Sequence, residues 1–258
     1  LEIFCNDKEE IDRAITHGAL AGKLHTALHE VIGHASGQLE PGIGDTVATL
    51  HNYASTLEDG RSDLVQLYYL MEPKLVEMGV MPSLDVGRAE YDGYLRPGLL
   101  AQLRRIKECK DSEEAHMRNR HGVSAWVFEK GMKDNVVARV EREGNVYYYI
   151  QDYDKLRGLF GELLREVQRI KSQCDYAAGK ALVEGYGVKV DPKLHAQVLE
   201  RVDRIAHPKL IGPHPRTLAV AVEVPAIHRH LVVRRQGPCK AGLGLDAHQL
   251  FRRRVLVN

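Results

Sequence analysis

Two histidines and a glutamate form the most informative pattern in the sequence. His29, Glu30 and His34 lie in the hexapeptide HEVIGH, which has one residue more than the zinc-binding motif HExxH. Side chains at i and i+5 of a regular helix lie about 140° apart around the axis and cannot share a metal ion. A π turn absorbs the extra residue, and Gly33 makes such a turn sterically easier. The composition would produce H-E-x-x-x-H roughly 0.05 times by chance, so we predict a metal site rather than two unrelated histidines.

A cluster of carboxylates follows this motif. Glu58, Asp59 and Asp63 lie 24 to 29 residues after His34, on a predicted helix. Zinc requires a third protein ligand, and the histidines that bind it require hydrogen-bond acceptors for their second ring nitrogens. This cluster can supply both. Acidic residues are also common near helix starts because they interact favourably with the helix dipole, so the cluster alone is not specific for a metal.

His116 and Arg120 form a third group, in the segment AHMRNR. Residues four apart lie on the same face of a helix. A histidine beside an arginine can stabilise a developing oxyanion and hold a substrate carboxylate or carbonyl. The alternative for this segment alone is a solvated helix face.

Helical periodicity predominates in the elements that must position these residues. We predict one or two helices from Lys8 to Gly37 with an interruption near Gly18, and a helix capped by Ser55. Further helices are expected after Pro73, from Ser83 through a bend at Pro97, from Ser112 to Gly131, and over three segments between Tyr153 and Ile205. A hairpin with Gly144-Asn145 as its turn is expected near residues 135–150. The predicted fold class is mainly α with a small β-hairpin.

Composition excludes several protein classes and divides the chain. The sequence has no charge-free stretch of membrane-spanning length, and its four cysteines are at least 65 residues apart, which favours the cytoplasm. Residues 207–258 contain 9 Lys and Arg against 2 Asp and Glu. We therefore predict a helical domain over residues 1–206 and a basic segment over 207–258 whose composition is typical of an out-of-frame or corrupted reading. A nucleic-acid-binding tail is the alternative, but the segment lacks a recognisable binding module.

These motifs, in this order, resemble the dipeptidyl peptidase III family of zinc exopeptidases. HEVIGH matches the family pattern HExxGH, and EDGRSD resembles its EExR(A/S)(D/E). AHMRNR, RPGLL and KSQCDYAAGKALVEGYG resemble three further family segments, so the resemblance extends from Leu24 to about Ile205. It implies one lobe of a two-lobed zinc metallopeptidase that releases dipeptides from the N-terminus of oligopeptides.

The resemblance implies roles for the residues of all three motifs. His29 and His34 would bind zinc, and Glu30 would be the general base. Asp59 occupies the position of the third ligand, where the family has Glu, and the shorter side chain leaves Glu58 as an alternative ligand. The remaining implied roles are support of the histidines by Glu58 and Asp63, oxyanion stabilisation by His116 and substrate binding by Arg120.

The resemblance also implies which partners the chain has. These are oligopeptide substrates and the missing N-terminal lobe of the same enzyme, with no nucleic acid and no membrane. Because that lobe is missing and Asp59 replaces a glutamate, a catalytically inactive peptide-binding or regulatory relative is the alternative function. A zinc endopeptidase is a further alternative, which product analysis would distinguish.

The weak periodicity and the charge of residues 207–258 lead to a first prediction. A chain truncated after Ile211 should express and melt at the same temperature as the full chain, because the basic segment is not expected to contribute to the packed core. Thermal unfolding followed by circular dichroism would measure this. A large drop in melting temperature would show that the segment belongs to the fold.

Overall fold

The chain forms nine α-helices and one β-hairpin within residues 2–106 and 115–206, which the computed structural model describes. This confirms the predicted fold class. The helices are α1 (Lys8–Leu28), α2 (Thr46–Leu50), α3 (Ala54–Leu70), α4 (Pro73–Glu77), α5 (Asp85–Leu99), α6 (Ala115–Gly131), α7 (Tyr153–Gln173), α8 (Tyr176–Val183) and α9 (Pro192–Ala206). The strands are β1 (Val137–Arg142) and β2 (Asn145–Ile150). The predicted basic segment, residues 207–258, lies outside the described residues.

Helix α1 leads directly into the histidine motif. It begins at the N-cap Asp7, whose carboxylate accepts a hydrogen bond from the Glu10 amide, and it passes Gly18 without interruption. After Leu28 the helix continues as a π-helix over His29–Gly33, in which the His34 amide donates to the His29 carbonyl at 3.0 Å. This i to i−5 bond confirms the predicted π turn.

Helix α3 is the central helix of the described region. Twelve of its 17 residues are buried, and it packs against the π-helix, α6 and α7. Leu64 and Leu67 enter the main hydrophobic core, which also contains Tyr91 of α5 and Phe160 of α7. The prediction that Ser55 caps this helix is wrong, because a 3₁₀ turn at His51–Tyr53 leads into α3 at Ala54 without a side-chain cap.

The hairpin differs from its prediction by one residue. Asn145 pairs with Arg142 and belongs to β2, so the two turn residues are Glu143 and Gly144. Both have positive φ, as the type I′ turn of a two-residue hairpin requires. The turn geometry, rather than the preference of asparagine for turns, sets the register here.

Helix α5 continues through Pro97 to Leu99, and the 3₁₀ segment Ala101–Arg105 follows it.

The described residues lie within one compact unit. In the ranges 2–106 and 115–206, no helix has both the length and the apolar character needed to cross a membrane.

The contact between Gly33 and α3 generates a second prediction. A Cβ at Gly33 would lie 2.8 Å from the Ser62 Cβ, so Gly33→Ala should reduce the free energy of unfolding by about 1–3 kcal/mol through overpacking. Gly22→Ala is the matched control, because a Cβ there meets no atom within 4 Å and should stabilise α1 by about 0.5–1 kcal/mol. Urea denaturation of both variants measures the difference. Equal effects of the two substitutions would contradict the packing argument.

Candidate metal centre

The π turn brings the two histidines of the motif together. The rings of His29 and His34 lie with their centroids 4.7 Å apart at an interplanar angle of 80°. His29, His34 and Asp59 each offer a ligand atom, and these three atoms lie within 4.8 Å of one another. Two imidazoles and a carboxylate are a donor set that zinc accepts. The three residues predicted as ligands therefore converge on one point.

Each of the two histidines is oriented by a carboxylate. His29 Nδ1 lies 2.7 Å from Asp63 Oδ1, and His34 Nδ1 lies 3.0 Å from Glu58 Oε1. A carboxylate on one ring nitrogen fixes the tautomer and leaves Nε2 as the metal-binding atom. The structure thus places Glu58 and Asp63 in the supporting positions that the sequence predicts.

Asp63 is a buried carboxylate with several donors. Besides His29, it accepts hydrogen bonds from the Tyr94 hydroxyl at 2.8 Å and from Asn119 Nδ2 at 2.7 Å. Burial favours the neutral acid, but the hydrogen bond from His29 and the nearby His25 outweigh it and lower the pKa of Asp63. The same hydrogen bond raises the pKa of His29 against the opposing effect of burial. Asp63 is therefore held as an anion against His29.

Glu58 has both carboxylate oxygens occupied by cations. Arg61 donates to Oε1 at 2.8 Å and to Oε2 at 3.1 Å, and Lys171 lies 2.6 Å from Oε2. Burial opposes ionisation, but the hydrogen bonds from Arg61 and Lys171 outweigh it and lower the pKa of Glu58 to about 2. Arg61 also donates to the Gly33 carbonyl at 2.6 Å, which ties Glu58 to the π-helix. Since Glu58 is engaged in this way, Asp59 is the better placed of the two candidate ligands.

Asp59 belongs to the candidate metal cluster of His29, His34 and Asp59, and it also contacts His116. Its Oδ2 is 3.3 Å from His116 Nδ1. Burial raises the pKa of Asp59, and the neighbouring His116 offsets this only in part. A metal cation at the cluster would favour the ionised carboxylate. His116 therefore lies beside Asp59, one of the three predicted ligands.

A cavity of about 340 Å³ opens beside this cluster and brings the other predicted residues together. His29, Glu30, His116 and Arg120 all line it. Glu30 is exposed, and the Arg120 guanidinium lies 5.0 Å from the centre of the Tyr94 ring. The residues predicted from the sequence as general base, oxyanion donor and substrate-binding residue thus share one cavity with His29, a predicted metal ligand.

His25 is a site residue that the sequence analysis missed. Its Nδ1 lies 2.8 Å from Glu90 Oε1 and its Nε2 lies 3.5 Å from Asp63 Oδ1, while its ring stacks on His29. His25, His29 and Asp63 also have ligand atoms within 4.8 Å of one another. Asp63 is already occupied by the donors described above, which makes this a less suitable metal site. The i, i+4 spacing from His25 to His29 was the signal that could have identified it.

The curated relatives found by sequence comparison are dipeptidyl peptidase 3 proteins. The chain is 25% identical over 222 residues to mouse dipeptidyl peptidase 3, covering 72% of this chain and 30% of that protein. It is 25% identical over 205 residues to the human protein, covering 65% of this chain and 28% of that protein. The chain thus spans less than a third of the length of these curated relatives. No protein-family model matches it.

Two solved structures of dipeptidyl peptidase III have a similar fold. DPP III from Caldithrix abyssi aligns with a TM-score of 0.58 at 21% identity, over 77% of this chain and 34% of that one. Dipeptidyl-peptidase III from Corallococcus sp. strain EGB aligns with a TM-score of 0.52 at 21% identity, over 70% of this chain and 30% of that one. At this identity the likeness concerns the fold alone.

The contacts of Asp59 and Glu58 generate a third prediction. Asp59→Ala should weaken zinc binding more than Glu58→Ala, because loss of a ligand outweighs loss of a supporting carboxylate, which typically costs about 10- to 100-fold in affinity. Competition with a chromophoric chelator measures both affinities on the purified chain, and Asp45→Ala, outside the cluster, is the control. The reverse order would identify Glu58 as the ligand.

Proposed function

Because the chain is related to the dipeptidyl peptidase III family, we propose that it is the zinc-binding lobe of an exopeptidase. The proposed enzyme releases dipeptides from the N-terminus of short peptides. The observation that supports this most strongly is the convergence of His29, His34 and Asp59 at the π turn, with each histidine held by its own carboxylate. A solvated helix face would not require this arrangement.

The residues at the cluster suit zinc. Both imidazoles have Nδ1 occupied by a carboxylate, so both present Nε2 to the metal, and Asp59 supplies an anionic oxygen. When bound there, zinc polarises the scissile carbonyl and makes water a nucleophile at neutral pH. The rest of the chemistry falls to side chains of this chain.

Glu30 is the general base in this proposal. It follows His29 in the π-helix and lines the same cavity, where its exposed carboxylate can take a proton from the attacking water. It then delivers that proton to the leaving amine. His116, beside Asp59, donates to the oxyanion that develops at the scissile carbonyl, and Arg120 holds the peptide in the cavity.

The proposal includes a second lobe, since the chain covers about 30% of its mouse relative. Fixing a substrate in the reactive orientation contributes as much as about 7–11 kcal/mol of barrier lowering. A lobe that closes over the cavity would supply much of this. We therefore place substrate positioning in both lobes and the proton transfers in this one.

A catalytically inactive peptide-binding or regulatory relative is the second candidate, and Asp59 is the observation that favours it. The side chain of aspartate is one methylene shorter than that of the glutamate in the family motif, so it extends less far toward a metal and would bind it more weakly. Zinc stoichiometry separates the two candidates, since the enzyme requires about one equivalent of zinc per chain.

The different roles of the histidines and Glu30 give a fourth prediction. His29→Ala or His34→Ala should abolish zinc binding, because each removes a proposed ligand. Glu30→Gln should retain one equivalent of zinc and lose dipeptide release, because it removes only the group that takes the proton. Elemental analysis measures the zinc, and hydrolysis of a dipeptidyl-naphthylamide measures activity, in the 258-residue chain and in a natural chain that includes the N-terminal lobe. Full activity of Glu30→Gln would exclude it as the base.

A further inference from the structure

A second cavity adjoins the one beside the metal cluster. It has a volume of about 270 Å³, and the two cavities share Gln102, Arg105 and Arg120 as lining residues. Arg105 and Arg120 thus lie where the first cavity, which His29 and Glu30 line, meets the second. A peptide lying along the first cavity would extend toward these two arginines.

The second cavity is strongly cationic. Its lining includes four arginines, Arg96, Arg104, Arg105 and Arg120, and no acidic side chain of the described residues. Arg96 is neutralised by a buried ion pair with Glu10. Within residues 2–106 and 115–206, no carboxylate lies within salt-bridge distance of Arg105 or Arg120. Two guanidinium groups at the junction are therefore free to bind an anion.

Arg105 has an exposed side chain on a backbone segment that is held by its neighbours. It ends the 3₁₀ segment after α5, in which Leu103 is buried in the core. Gln102 Nε2 donates to the Met117 carbonyl at 3.1 Å and to the Gly98 carbonyl at 3.3 Å, which ties this segment to the first turn of α6. Arg120 lies one turn further along α6. The fold therefore places Arg105 and Arg120 on the lining of both cavities.

We infer that Arg105, together with Arg120, binds a carboxylate of the peptide substrate on the side of the scissile bond remote from the released dipeptide. This inference rests on the proposed function and adds a specificity residue to it. Guanidinium groups bind carboxylates through paired, charge-assisted hydrogen bonds. A carboxylate at this junction selects peptides short enough for their free C-terminus to reach it, or peptides with an acidic side chain at that distance.

The test compares four-residue peptides that differ only in their carboxylates. Tetra-alanine as the free acid, tetra-alanine amide, and Ala-Ala-Ala-Asp amide are each made with the second peptide bond reduced, so that none is cleaved. Isothermal titration calorimetry on the zinc-loaded chain gives the dissociation constant of each. We expect the free acid to bind at least about tenfold more tightly than the amide, as loss of one charge-assisted contact allows.

Substitutions then assign this preference to Arg105. Arg105→Gln should reduce the preference for the acid over the amide by about tenfold and leave binding of the amide unchanged. Arg105→Lys retains the charge but not the paired donors, so its preference for the acid should lie between those of the unsubstituted chain and Arg105→Gln. Arg139→Gln removes the same charge from β1, lines neither cavity, and is the matched control.

The outcomes separate this inference from the proposed function. Equal binding of acid and amide, including no binding of either, would overturn the inference, as would a preference that Arg105→Gln leaves intact. An equal loss of acid and amide binding in Arg105→Gln would show that Arg105 only shapes the cavity. Tight binding of the aspartyl amide would identify an acidic side chain as the recognised group. A carboxylate preference, together with no hydrolysis of natural peptides by the natural chain that includes the N-terminal lobe, would retain the inference and exclude the enzyme.

Discussion

The close contact between the π-helix and α3 is the constraint on which the site depends. Gly33 lies so near Ser62 that no side chain fits between the two backbones. Glu58, Asp59 and Asp63 all lie on α3 within about one helical turn of Ser62. The approach of the two helices therefore sets the distances of these carboxylates from both histidines. The extra residue that rotates His34 onto the same face as His29 also places Gly33 at this crossing. One local distortion thus brings the two histidines together and creates the packing that supports them.

The partly buried carboxylates that support the histidines are each compensated by hydrogen-bond donors or cations. Asp63 is surrounded by hydrogen-bond donors, and Glu58 lies between Arg61 and Lys171. A buried carboxylate without such partners would be protonated or would destabilise the fold. Because Glu58 is held by cations from α3 and α7, and Asp63 by hydrogen-bond donors from α5 and α6, the carboxylates that orient the two histidines are themselves held in place. The charged network therefore serves the geometry of the ligands more than the overall stability.

The sequence predicted the local geometry of the histidine motif better than the packing around it, for physical reasons. Spacing along a helix is local, so the i to i+5 problem and its solution by a π turn could be derived from HEVIGH alone. Ser55 failed as a cap because a 3₁₀ turn supplies the helix start, which no local preference reveals. Arg105 could not be found from the sequence, because only the packing of the segment after α5 against α6 brings it beside Arg120.

The departure at Asp59 is best understood through the same helix crossing. Aspartate reaches about 1.5 Å less far than glutamate, the length of one carbon–carbon bond. A ligand on a short side chain requires its backbone to lie closer to the metal, and the contact of Gly33 with Ser62 is the feature that brings α3 closest to the histidines. Gly60, next to Asp59, adds no side chain that would hold α3 away from α6, where a Cβ would come within 3.0 Å of the Asn119 amide oxygen. If Asp59 is the third ligand as proposed, the small residues Gly60 and Ser62 that follow it on α3 and its shorter carboxylate are parts of one adjustment, in which close helix approach replaces side-chain length.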